Sequence, residues 1–312
     1  MTVQTRIADL VPNPTALSNI VTKTFRANNA ILASGVATGG PEVDLLMTGG
    51  SYVQGLSFIN KVDTSTFNYS SDDYDEKGAT GKITAANYMA LRHDLNWGWA
   101  YTDLVRLVTK YDVRGGLTAA IPLYWSEVCE NIAVASMKGA LAKTAALTSG
   151  NITTDFGVDA LIDAAATLDD PRAKKTTFMS RKTLAKAQKL NKSVYVPAAE
   201  TDLGFASFAG YALNITEEFG DDTIIVAQDG AIAFGAGVIP GQVGMEIGRD
   251  VNAGNGGGGE ILRTRLSMVV APQGFSYVGG AKPGLAGLAT AANWVQTADI
   301  KDVGFRAIKI KP

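Results

Sequence analysis

Residues 82–99 read KITAANYMALRHDLNWGW. The odd positions from Ile83 are Ile, Ala, Asn, Met, Leu, His, Leu, Trp and Trp. The even positions from Lys82 are Lys, Thr, Ala, Tyr, Ala, Arg, Asp, Asn and Gly. Successive side chains of a strand point to opposite faces, so this period of two predicts one half-buried strand. At ~3.3 Å per residue it spans roughly 55 Å. A compact chain of 312 residues has a radius of gyration of about 20 Å. Such a strand either bends, or projects and has its apolar side covered by another chain. A long uncovered edge is an aggregation hazard, so the feature points to assembly. Upstream lies the polar, acidic loop SSDDYDEKGATG (70–81), and before it a second extended segment. The two make a hairpin over 51–100, running at least from 56 to 96, with its tip at 70–81.

Downstream the pattern changes to mixed α and β. YTDLVRLVTKY (101–111) is a short helix. The run 117–147, LTAAIPLYWSEVCENIAVASMKGALAKTAAL, predicts a long helix over 118–146 with Thr118 as N-cap and Pro122 in the first turns. Val128, Ile132, Ala135, Gly139 and Ala142 give it a narrow stripe of small residues. At 1.5 Å per residue it measures about 43 Å. DALIDAAATL and SRKTLAKAQKL read as helices flanking the strand KKTTFM; YALNITEEF, TIIVAQ and AIAFGAGV read as short strands. LAGLATAANW is a further helix and GFRAIKIK a last alternating strand. At the other end, residues 16–28 are a short helical candidate, and 33–50, ASGVATGGPEVDLLMTGG, an extended Gly-rich arm.

The run GNGGGG (254–259) fits G-x-G-x-x-G. That fingerprint binds a dinucleotide only where it follows a strand and opens a helix. Here VGMEIGRDV precedes it and EILRTRLSMVV follows, and both alternate. The glycines therefore join two strands as a mobile hairpin loop, and no cofactor is expected. GATGKIT (78–84) lacks the glycine spacing of a phosphate loop and has Ile83 after Lys82.

Other chemistry is equally thin. His93 is the single histidine and lies on the apolar side of the long strand, while Asp94 points to the other face. A half-buried structural histidine is the reading. Asp72, Asp73, Asp75 and Glu76 lack the ligand spacing of a calcium loop and form a solvated tip. Cys129, the only cysteine, excludes an internal disulfide and any Cys-based zinc site, and reads as core packing. Trp97, Trp99, Trp125 and Trp294 have no interleaved basic residues and read as core or interface anchors. No catalytic, cofactor-binding or metal site is expected. The net charge of −2, without a basic stripe, argues against a nucleic-acid reader. The first residues lack the pattern of a secretory signal, and no apolar run reaches the ~18 residues of a membrane span, so the expectation is a soluble chain made in the cytosol, with no membrane partner.

The order of these parts resembles the major capsid proteins of tailed bacteriophages. The resemblance rests on WAYTDLVRLVTKYDVRGGLTAAIPLYWSEVCENIAVASMKGAL, on Ser34-Gly35-Val36 and Gly49-Gly50 upstream, and on GGAKPGLAGLATAANW near the C-terminus. One departure is Asp112-Val113 where the family has Asp-Pro. The resemblance implies an α+β chain with the Hong Kong 97-type capsid fold. Residues 1–50 would be the N-terminal arm, 51–100 the E-loop hairpin and 101–155 the P-domain with its spine helix. Residues 156–240 would be the A-domain and 241–312 the returning P-domain strands. It further implies no enzyme but a structural shell protein, self-assembled as pentamers and hexamers around double-stranded DNA that it touches weakly and non-specifically. Portal, scaffolding and decoration proteins would be its other partners. The virion would be its final location and the host cytoplasm its site of assembly. The short arm implies a mature chain or one with a separate scaffold. Two rivals differ in class: an encapsulin-like nanocompartment shell, which would enclose a cargo enzyme, and a nucleotide-binding enzyme using the Gly-rich loop.

Overall fold

A computed structural model describes residues 30–47, 50–59, 62, 65–83, 85–109, 111–150, 157–168, 173–190, 195–196, 207–239 and 241–311. The helical candidate at 16–28 lies outside them. In chain order the elements are β1 (Ala37–Thr38), α1 (Pro41–Met47), β2 (Val53–Ile59), β3 (Ala85–Thr102), α2 (Asp103–Thr109), α3 (Val113–Lys143), β4 (Thr148–Gly150), α4 (Val158–Ala166), β5 (Lys175–Met179) and α5 (Arg181–Leu190). Then follow β6 (Tyr195–Val196), β7 (Ser207–Phe208), β8 (Tyr211–Ile215), β9 (Thr223–Gln228), β10 (Ile232–Gly237), β11 (Met245–Asp250), β12 (Gly259–Pro272), β13 (Phe275–Tyr277), α6 (Leu285–Leu288), β14 (Trp294–Gln296) and β15 (Phe305–Lys309). The chain is α+β, as the sequence predicts.

The expected long strand exists, as the 18 residues of β3. It belongs to a sheet ordered β1-β10-β12-β3-β2, with β11 on the far side of β12. β3 is shared along its length. From Thr102 to Leu91 it pairs with β12, and from Leu91 to Ala85 it pairs with β2. Its first third therefore projects with β2 beyond the body of the sheet. The tip at 65–83 has no regular structure and is exposed throughout.

The alternation holds less well than expected at the middle of β3. Ala90, Leu91, Arg92 and His93 are all buried, so both faces are covered there. On the even face Val43 and Leu46 of α1 pack with Ala90, Val269 and Ala271. That helix falls where the sequence suggested only an extended arm. On the odd face Leu91 and Leu95 pack against the α3 core. The chain thus shelters part of the stripe expected to need a neighbour, while Met89 and Trp97 stay exposed at 38% and 54%.

A second sheet runs β4-β15-β9-β5-β8-β7-β6. Helices α4 and α5 cover one face through Leu161, Ala165, Leu184 and Ala187. The other face brings Phe178, Ile225, Phe305 and Ala307 to α3. Pairing crosses the boundary expected at 240: β10 joins the sheet of β3, and β15, from the far end of the chain, joins the second sheet. Burial decides β15, since Phe305, Arg306, Ala307 and Ile308 are covered on both faces. Arg306 is satisfied there by the carbonyls of Val303 (2.7 Å), Phe305 (2.8 Å), Ile300 (2.8 Å) and Thr167 (3.1 Å).

Helix α3 starts five residues earlier than predicted. Its N-cap is Asp112, whose Oδ1 accepts from the Gly115 N–H at 3.0 Å, and Thr118 lies inside, bonding the Arg114 carbonyl at 2.8 Å. A carboxylate at the N-cap satisfies a free backbone donor and complements the helix dipole. Val113 then holds the first helical position, where proline is favoured, so the Asp-Val departure leaves the cap intact. The helix is about 46 Å long at 1.5 Å per residue, with Pro122 inside it. The expected narrow stripe is in fact a buried band. Ile132 through Met137, with Cys129, Glu130, Gly139 and Ala140, are buried all round, because the two sheets and the β13–β14 region close on the helix together. Ala142, assigned to the stripe, is exposed.

Gly139 marks the tightest approach. Trp294, 1% exposed, donates its indole N–H to the Leu288 carbonyl at 2.6 Å over this point. A Cβ on Gly139 would overlap both the Leu288 oxygen and Trp294 Nε1. Helix propensity alone makes Gly→Ala stabilising by roughly 0.5–1 kcal/mol. Overpacking here costs about 1–3 kcal/mol, and loss of the indole bond about 1 more. Gly139→Ala is therefore expected to destabilise the unassembled subunit by about 2 kcal/mol in urea unfolding; a gain in stability would contradict this packing.

Candidate functional site

The candidate residues for chemistry do not converge. His93 is 7% exposed, and its Nε2 has no hydrogen-bond partner. Burial holds its pKa down at about 4, against a smaller upward pull from Asp94. It is more deeply buried than the half-buried residue expected, because α3 covers this face of β3. The Asp94 carboxylate is engaged elsewhere, accepting from Arg92 (3.0 Å) and Ser267 (2.8 Å). Cys129 is buried, and desolvation pushes its thiol up to about 11, which keeps it protonated and unreactive. Asp72, Asp73, Asp75 and Glu76 are all exposed, with the Asp75 N–H on Asp73 Oδ1 at 3.0 Å. Among the described residues no group of three or more His, Cys, Asp or Glu is arranged for a metal. An open cleft of about 420 Å³ lies between α4 and β15, and its Arg306 is already committed to carbonyls. No helix among the described residues is long and apolar enough to cross a membrane.

The Gly-rich run joins β11 to β12, which pair antiparallel from Met245↔Thr264 to Asp250↔Gly259. The residue after it continues as strand, as predicted. Gly254, Asn255, Gly256 and Gly258 have φ of 63°, 61°, 86° and 84°, while Gly257 sits at −75°. The glycines serve a left-handed turn. Asp103, at the start of α2, closes the turn from below: it accepts from Arg249 Nη2 at 2.7 Å, and its own N–H reaches the Gly258 carbonyl at 3.0 Å. Tyr101 donates to Glu260 beside them, and its pKa rises to about 12 through burial and that bond.

What the structure does assemble is surface. Phe67, Tyr69 and Tyr74 on the tip are 71%, 86% and 95% exposed, so the tip read as polar is also aromatic. Leu104, Leu107 and Val108 are exposed on α2, which buries only Val105. Met245 and Ile247 are exposed on β11, whose outer edge is unpaired among the described residues. Of the four tryptophans, Trp294 is core and Trp97 is surface. Trp99 and Trp125 are partly buried, held edge-on by Tyr124 between them. The signal for α2 was present in DLVRLVT: four apolar residues spread around a helix of seven residues exceed what one buried face takes.

The Ralstonia phage GP4 capsid superposes with a TM-score of 0.63 over 93% of both chains at 9% identity. The chain has the Hong Kong 97-type capsid fold. The capsid of the native GTA particle gives 0.58 at 15% identity, over 95% of this chain and 94% of that one. A chain of Microbacterium phage Oxtober96 gives 0.58 at 10% identity, over 93% of both. No family model and no curated protein matches the sequence.

A neutral buried imidazole adds stability above its unfolded pKa of 6.5, and that contribution is lost as pH falls toward about 4. Between pH 7 and pH 4 the wild-type subunit should lose about 3 kcal/mol more than His93→Gln, at 1.36 kcal/mol per pH unit. Parallel urea titrations of the two at each pH check this, and equal losses would contradict it. Separately, Gly256→Ala should cost about 1–2 kcal/mol for its positive φ, and Gly257→Ala well under 1. Equal effects in thermal unfolding would show that the turn does not hold these angles.

Proposed function

We propose that this chain is a structural major capsid protein that self-assembles as pentamers and hexamers into the icosahedral head of a tailed phage. The observation that carries the reading is the projecting β2–β3 pair with its uncovered aromatic tip, borne on a fold whose neighbours include phage and GTA-particle capsids. Burying an aromatic side chain is worth about 1.5–3 kcal/mol. Three left in water at the end of a projecting loop are a surface built for another protein. A closed shell repeats one heterologous contact around rings, and the exposed faces of α2 and β11 offer further contact area. On this reading 65–83 is the tip of the E-loop and α3 is the spine. The second sheet with α4 and α5 corresponds to the A-domain, and the β3–β12 sheet to the P-domain.

The reading assigns no catalysis: its work is geometric. The absence of a basic stripe suits loose contact with packaged DNA, because every phosphate gripped adds affinity. Portal, scaffolding and decoration proteins are the further partners expected, with assembly in the host cytoplasm and residence in the virion.

Electron microscopy of the purified chain, alone and co-expressed with candidate scaffolds, tests the reading; closed shells holding DNA in the phage, rather than a cargo enzyme, are the expected result. Replacing 70–81 by a two-residue turn should leave the thermal midpoint of the subunit within about 3 °C, since these residues are exposed. Shell yield should fall at least tenfold. Normal shell yield per folded chain, with a large loss of subunit stability, would contradict it.

A further inference from the structure

The turn between β11 and β12 holds an unguarded pair of residues. Asn255 is followed by Gly256, and every other asparagine of the chain is followed by a residue with a side chain. Both members of the pair are exposed. The Asn255 carboxamide makes no hydrogen bond among the described residues. Open space surrounds Gly256, where an added Cβ would meet nothing within 4 Å. Its N–H reaches the Asn252 carbonyl at 3.3 Å, longer than the usual ~2.7–3.2 Å. A backbone nitrogen that is neither crowded nor firmly held thus follows a free carboxamide.

We propose that Asn255-Gly256 is a modification site at which the chain deamidates itself. Loss of the Gly256 amide proton to hydroxide leaves a nitrogen that attacks Cγ of Asn255. The Cγ–N bond to the backbone forms, and the side-chain nitrogen leaves as ammonia, taking a proton from water and restoring the hydroxide. Water then opens the resulting succinimide. Addition at Cγ gives aspartate, and addition at the backbone carbonyl carbon gives isoaspartate. Water is consumed and ammonia released in equal amount, and nothing is oxidised or reduced. Nucleophile and carbonyl belong to adjacent residues, so the step is intramolecular and needs no partner. Asn255 sits at φ 61° and ψ 42°, and ring closure needs ψ to turn away from that value. The glycines on either side allow this at small steric cost.

The two products differ in what they do to the turn. Aspartate tolerates the left-handed region as asparagine does, so the aspartyl chain keeps the turn. Isoaspartate runs the main chain through Cβ and lengthens it by a methylene. The N–H groups of Gly257 and Gly258 then lose their alignment with the carbonyls of Gly254 and Ala253, now at 3.3 and 2.9 Å. Either product adds a carboxylate to a turn that already follows the exposed Asp250 and is closed by Asp103, with Arg249 as the cation. The chemistry belongs to the single chain and does not depend on the shell reading.

The test follows the unassembled wild-type subunit over days at neutral and at mildly alkaline pH. Peptide mass spectrometry should find the mass change from amide to acid at Asn255, faster at the higher pH because the attacking amide must lose a proton. A protein isoaspartate methyltransferase should label the same peptide. Conversion in the native subunit should run within about tenfold of conversion in urea, since an exposed turn opens at little cost. Gly256→Ala places a methyl beside the attacking nitrogen and should slow conversion several-fold, although its strained turn opens more easily; a site governed by looseness alone would convert faster in this variant. Native conversion slower than in urea by more than about tenfold, conversion undiminished in Gly256→Ala, or earlier conversion at Asn252 would overturn the assignment.

Discussion

The fold depends on one helix that both sheets must share. From Cys129 to Ala140 α3 is covered on almost every side, by Leu91, Met268 and Val270 of one sheet and by Phe178, Ile225 and Phe305 of the other. A helix enclosed in this way cannot carry bulky residues all round, which accounts for Ala133, Ala135, Gly139 and Ala140. At Gly139 the backbone of α3 meets the Leu288 carbonyl and the Trp294 indole directly. The C-terminal third of the chain is locked to the middle at that point. Glu130 locks the N-terminal side, accepting from the backbone N–H groups of Ile31 (2.8 Å) and Leu32 (3.2 Å). Burial raises its pKa, and those two bonds oppose the rise.

Because the core is complete without it, the hairpin is free to be surface. The hairpin leaves the body along β3, which is anchored over Leu91–Thr102 by β12 and so serves as a cantilever. Its tip contributes nothing to the core, yet it carries exposed aromatics that a solvated loop does not need. Separation of a self-sufficient core from an unsatisfied extension is what an assembling subunit requires. The core must fold before neighbours arrive, and the extension must gain from their arrival.

Much of this was legible in the sequence. The period of two in 82–99 identified β3, and the alternation on both sides of GNGGGG identified a hairpin against a literal motif match. Short strands and helices between 158 and 237 were also readable. What was hidden has a common physical cause. The start of α3 at Val113 depends on the Asp112 cap, and the two glycines after it masked the helical pattern. The burial of Arg92 depends on Tyr52, which is remote in sequence and meets it only in three dimensions. α1 itself is seven residues long, too short for periodicity to declare it. The burial of Arg306 is intelligible only from the carbonyls that converge on it.

On the proposed shell reading, the core is complete in one copy while the 65–83 loop is completed by another. Amide hydrogen exchange on free subunits and on assembled particles tests it directly. Residues 129–140 of α3 should be strongly protected in both states, and 65–83 should exchange within seconds when free and slow by at least about tenfold in the particle. Equal exchange of 65–83 in the two states, or protection of α3 that appears only on assembly, would contradict it.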